Sequence, residues 1–116
     1  MKLLTKAQHL QMLKNGQMAE SNPAFDPHPV VKLFTPDGGA TWLLASLDPT
    51  EPDIAFGLCD LGFGFPELGT VRLSELAAAR GRLGLPIERD QHWAATAPIS
   101  AYASASIARQ RLVDRL

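Results

Sequence analysis

The chain has 116 residues, 46% of them apolar and 20% charged, with a formal net charge of −1. That length supports one core and not two, and the composition is that of an ordinary globular protein. The near-neutral balance excludes a strong whole-molecule field toward nucleic acid or anionic membrane, the single cysteine excludes an internal disulfide, and no apolar run has transmembrane length.

The opening residues carry no apolar run of signal-peptide length. Together with the lone cysteine this points to a soluble protein of a reducing cytoplasm. The spacing predicts a helix over residues 5–15. Thr5 and Gln8 are placed for a capping box, and Ala7, Leu10, Leu13 and Met18 form a core-facing stripe that Gly16 should stop. Pro23, Pro27 and Pro29 make the next stretch an extended connector.

Val30 to Thr35 then reads as a strand. Pro36-Asp37-Gly38-Gly39 reads as a turn whose glycines accept positive φ, and Ala40 to Leu47 as the returning strand of a hairpin. A proline-stiffened loop from Asp48 to Asp53 leads to a third strand, Ile54 to Leu61. A loop rich in glycine and phenylalanine, Gly62 to Gly69, precedes a short fourth strand, Thr70 to Leu73. Ser74 can cap a short helix over 74–80, and Pro86 to Arg89 suits a short edge strand. Residues 100–116 are expected as a C-terminal helix or tail, helical toward its end, with its arginines at the negative end of the dipole. The fold class is α+β. It is an antiparallel β-meander of four to five strands over residues 30–73 with N-terminal, central short and C-terminal helices on one face or at its edges, in a single domain, 1–116.

Charge is unevenly spread. No lysine or arginine lies between Lys32 and Arg72, yet Asp37, Asp48, Glu51, Asp53, Asp60 and Glu67 do. The ends of the chain are expected to pair with this middle or flank it.

Cys59 next to Asp60 invites a nucleophile reading. The surroundings are acidic, however, and only His28 and His92 are sensible base partners, so a small apolar strand residue is the plainer role. No pair among His9, His28, His92 and Cys59 has zinc spacing, and Asp48, Glu51 and Asp53 lack the pattern of a calcium loop, so no metal and no cofactor is called for. Gly62-Phe63-Gly64-Phe65-Pro66 is not a phosphate loop. The plainer role of Phe63 and Phe65 is to plug the open end of the core. Their functional role is an apolar contact surface rimmed by Asp60 and Glu67.

The runs Val30 to Asp37, Gly39 to Leu44, Ala55 to Gly62, Gly64 to Gly69, Ser74-Glu75-Leu76 and Leu85 to Asp90 resemble the small bacterial proteins grouped as domain of unknown function 2958. The resemblance runs from the first helix to about Tyr102. It implies a bacterial, single-domain protein of the kind often carried on plasmids and integrating elements, and it brings no activity, cofactor or catalytic residue with it.

The leading functional reading is therefore a small binding or accessory module. It would engage an unknown protein partner through Asp60, Phe63, Phe65 and Glu67, in the setting of mobile-element biology. The alternative is a small hydrolase-like enzyme with an acidic site at the glycine-rich loop. Its catalytic candidates are Asp60, Glu67, Cys59 and His92, which must then converge. Nucleic-acid binding through Arg80, Arg82, Arg89, Arg109, Arg111 and Arg115 is the weaker third reading. Self-association through residues 107–116 is a fourth, and no membrane partner is expected.

Overall fold

The computed structural model describes residues 2–116. Its elements are α1 (Lys6–Ser21), β1 (Val31–Phe34), β2 (Thr41–Leu47), β3 (Ile54–Asp60), β4 (Glu67–Arg72), α2 (Leu73–Ala78), β5 (Glu88–Arg89) and α3 (Ile99–Arg109). The strands form one antiparallel sheet in the order β4-β3-β2-β1-β5. The first four make the expected meander, and β5 returns to pair with β1 through Leu33↔Arg89 and Phe34↔Glu88.

β2 lies at the centre and is buried from Trp42 to Leu47. A strand covered on both faces reads as a near-continuous apolar run, as Trp42 to Ala45 does. Trp42 and Leu44 pack with Val31, Leu33, Ile87, Met12 of α1 and Leu76 of α2. Leu43 and Ala45 pack with Leu58 and with Ile99, Tyr102 and Ala103 of α3. Successive side chains of a strand point to opposite faces. The sheet therefore has a core on each face, not helices on one face or at the edges alone.

Leu44 pairs with Gly57, but Ser46 pairs with Phe56. Two steps on β2 match one on β3, which is a β-bulge at Ala45. The slip reverses side-chain parity and returns Leu47 to the core that holds Leu44.

β1 stops at Val31↔Leu44, and α1 takes its place beside the rest of β2. Asn15 Nδ2 donates to the bulge carbonyl of Ala45 at 2.8 Å, while Asn15 Oδ1 accepts from Gln11 Nε2 at 2.9 Å. A Cβ on Gly16 would lie 1.8 Å from the carbonyl oxygen of Leu47. Gly16 thus serves a close approach, and the helix runs through it to Ser21 instead of ending there. The expected stripe is out of phase: Leu10 is 58% exposed, Met18 45% exposed, and Ala7 is exposed as well. The buried residues of α1 are Met12, Asn15 and Gly16, with Leu13 packed at the margin. The capping box forms as expected, with Thr5 Oγ1 accepting from Gln8 N at 3.1 Å and Gln8 Oε1 from Thr5 N at 2.9 Å.

Distant aspartates cap the other helices. Asp53 Oδ1 accepts from Ser74 N at 2.9 Å and Oδ2 from Ser74 Oγ at 2.7 Å, so Ser74 is the capped residue and not the cap. Asp26 treats the amide and hydroxyl of Ser100 in the same way. In the 36–39 turn it is Thr35 that holds the corner, through Ala40 N to Thr35 Oγ1 at 3.0 Å. Positive φ falls at Gly62, Gly64 and Gly84, not at Gly38 or Gly39.

α3 ends at Arg109, with Gln110 in the left-handed region at φ 55°. The residues beyond it are not helical, contrary to expectation, and fold back over the second face. Val113 N donates to Ser106 Oγ at 2.8 Å, Leu112 N to Asp60 Oδ2 at 2.8 Å, and Trp93 Nε1 to the Asp114 carbonyl at 2.8 Å. Lys32 Nζ sits 2.6 Å from Asp114 Oδ2. No helix of the described residues is long and apolar enough to cross a membrane.

Candidate binding surface

The acid-rich middle of the chain is largely committed to structure. Asp37 Oδ2 accepts from Leu83 N at 2.7 Å, and Asp48 Oδ1 from Thr50 N at 2.9 Å. Glu51 Oε1 takes Arg72 at 2.8 Å, and Asp53 caps α2. Buried Asp60 accepts from Gly62 N at 2.8 Å with one oxygen and holds Leu112 N with the other. Aspartates accept backbone amides well because a charged acceptor roughly doubles the strength of the bond. The middle therefore binds mostly amides, and among the described residues Arg72 is the only basic side chain paired with it. Of the six acid side chains, that of Glu67 alone makes no hydrogen bond or ion pair among the described residues.

Glu67 opens β4, the edge strand, where it pairs across to Cys59, which pairs in turn with Trp42. These three share one face of the sheet. On that face a groove of about 330 Å³ is lined by Trp42, Cys59, Leu61, Phe63, Phe65, Glu67 and, along the edge strand, Gly69 and Val71. Phe63 and Phe65 are each 78% exposed and Leu61 is 59% exposed, so the phenylalanines do not plug the core. Gly62 and Gly64, both at φ 89°, wind the loop in a conformation that L side chains rarely adopt. Burial pushes the Cys59 thiol up to about 11, helped by the negative charge of Glu67. It therefore stays a protonated, apolar lining group at neutral pH.

The sequence candidates separate into three places. Cys59 and Glu67 face the groove together with Phe63 and Phe65. Asp60 is buried toward the opposite face, held by Leu112 N, and so does not rim the groove. His92 lines another cavity, of about 460 Å³, with Lys32, Asp90, Trp93, Tyr102 and Asp114. There the His92 amide lowers the Asp90 carboxyl below its usual range, with the Lys32 ammonium adding to it. No group of three or more His, Cys, Asp or Glu side chains among the described residues is disposed to hold a metal. Trp42, Leu61, Gly69 and Val71 join the groove without having been named as site residues. The pairing register places the first and the last two there, and a strand covered on both faces, as β2 is, has no polar–apolar alternation to announce which face Trp42 takes. The Lys32–Asp90–Asp114 cluster joins residues 82 apart in the chain and leaves no local signature.

Fold and surface together define an α+β protein with a five-stranded antiparallel sheet and an apolar groove beside one open edge. The chain belongs to the family described as Protein of unknown function (DUF2958), whose model matches residues 3–113. The match extends beyond Tyr102, where the resemblance read from the sequence stops, and takes in α3 and the returning tail as far as Val113. No curated protein and no solved structure matches the chain.

Proposed function

We propose that this chain is a non-catalytic binding module that holds another protein in the groove formed by Trp42, Cys59, Leu61, Phe63 and Phe65. The reading rests on one observation: Phe63 and Phe65, each 78% exposed, stand over a concave apolar floor on a loop wound by positive-φ glycines. Fully burying a phenylalanine side chain is worth about 1.5–3 kcal/mol, and aromatic anchors in concave sites dominate many interfaces. In the bacterial, mobile-element setting that the family resemblance implies, the partner belongs to DNA maintenance, transfer or host-defence evasion.

The test places a photo-crosslinking benzoylphenylalanine at position 65 of the tagged chain in its host cytoplasm. Position 83 serves as the control, since Leu83 is equally exposed and lies outside the groove. A stoichiometric protein adduct from position 65 and not from 83 is expected. Equal labelling from both sites, or a small molecule retained in native mass spectrometry that Glu67→Gln releases, would overturn the reading, the second in favour of an enzyme.

A further inference from the structure

β4 is the bare edge of the sheet. It is six residues long, and its neighbour on one side is β3. No backbone group of Glu67 to Val71 has a hydrogen-bond partner other than β3 among the described residues. Its middle, Leu68-Gly69-Thr70-Val71, carries neither charge nor proline. Such an edge is a template for a further strand unless something blunts it. The apolar groove runs up to this same edge, since Glu67, Gly69 and Val71 line it. At Gly69 a Cβ would meet nothing within 4 Å, so the groove opens into a notch where the edge strand lacks a side chain.

We propose that the partner of this surface is an extended peptide segment that adds to the sheet as a strand beside β4. Its alternate apolar side chains pack along the rim of the groove beside Gly69 and Val71, and a lysine or arginine sits next to Glu67. This rests on the binding-module reading and names the form of the partner. Strand addition uses both features at once: main-chain hydrogen bonds supply affinity, and pockets for every second side chain supply selectivity. The charge preference follows from Glu67, the one unpaired acid of the chain's basic-free middle, in a groove with no basic residue in its lining. A second copy fits less well. Two-fold antiparallel pairing of β4 with itself brings same-face residues together, and that face offers Glu67, Gly69 and Val71, none of them basic. Arg72 belongs to the opposite face and is held by Glu51 and Asp53.

Random twelve-residue peptides displayed on phage would be panned against the full chain, and the most enriched would be synthesised. Enriched peptides should alternate apolar residues and carry a base. Their binding should slow hydrogen exchange at the outward-facing β4 amides. N-methylating one alternate set of peptide amides should weaken binding at least tenfold, and the other set should not. Gly69→Leu should cost at least tenfold while leaving the melting temperature in place, because the notch is empty and the backbone there suits any residue. Glu67→Lys should weaken the basic peptides tenfold and turn selection toward acidic ones. No enrichment over the Phe63→Ser/Phe65→Ser double variant would sink the proposal. Binding that ignores both N-methyl sets but is lost in the double variant would remove strand addition and keep the surface. Binding indifferent to the double variant would remove the surface as well. A concentration-dependent dimer that Gly69→Leu dissolves would put a second copy on the edge instead.

Discussion

The sheet has a sealed side and an open side. On the sealed side β1 is followed by the two-residue strand β5, whose Arg89 guanidinium donates to the Lys2 carbonyl at 2.6 Å. Where β1 runs out, Asn15 and Gly16 of α1 close on β2. On the open side six residues of β4 end the sheet with no strand beyond them. Proteins commonly blunt edges with short strands, charge or cover, and this one does so on one side only. A fold that can seal one edge with its own helix and leaves the other bare, beside two exposed phenylalanines, separates its stability from the surface proposed for recognition. Changes on the sealed side should unfold the chain. Changes on the open side should leave it folded and unable to bind.

The sharpest way to break that contrast is Gly16→Val. Its Cβ would overlap the Leu47 carbonyl at 1.8 Å, and backbone cannot yield as a side-chain end does. We expect a loss of about 3 kcal/mol in urea unfolding, well beyond the roughly 0.4 kcal/mol of helix propensity that valine gains over glycine. Asn15→Ala should cost about 1–3 kcal/mol, because it strands the buried Ala45 carbonyl at the bulge. Calorimetry on that variant should show a lower melting temperature with the fold retained.

Asp53 gives a smaller, pH-dependent effect. The Ser74 hydroxyl, then the Ser74 amide and nearby Arg72, lower its carboxyl below the ordinary 3.8. A carboxyl depressed on folding contributes stability that is fully present above its unfolded value and lost as pH falls through the folded one. Part of the acid limb below pH 3.8 should therefore flatten in Asp53→Asn, measured as melting temperature against pH. At the bottom of the scale, Phe63→Ser with Phe65→Ser should change stability by no more than about 0.5 kcal/mol, the range of surface substitutions. A loss of several kcal/mol there would mean that the loop is part of the core after all.

Strands and turns were largely legible because β-branched runs and proline or glycine breaks are local signals. The first three strands and the short α2 fall close to where the pattern puts them, whereas β4 begins at Glu67, three residues inside the stretch expected as loop, and gives up Leu73 to α2. The helix phase was not legible. The buried side of α1 consists of Met12, Asn15 and Gly16, two of which read as polar or helix-breaking. Both are there for a tertiary reason, the bulge carbonyl and the close approach to Leu47. The tail was misread for a similar reason: its direction is set by Asp60 and Lys32, residues that precede it by 52 and 82 positions. Of the candidate site, the exposed loop was visible as a motif. That Asp60 belongs to the scaffold while Glu67 stays free depends on strand parity and on a partner far along the chain.

The returning tail also bears on how the protein is made. Leu43, Ala45 and Leu58 find their cover in α3, and Asp60 and Lys32 find theirs in residues 112–114. All of this cover leaves the ribosome after the strands it protects. During synthesis the second face of the sheet is therefore a bare apolar surface waiting for its lid. Native contacts of this kind join distant residues and form slowly, and exposed apolar faces are what chaperones hold and what aggregates. A nascent chain stalled just before Ile99 should be far more open to protease than one stalled with Leu116 clear of the exit tunnel.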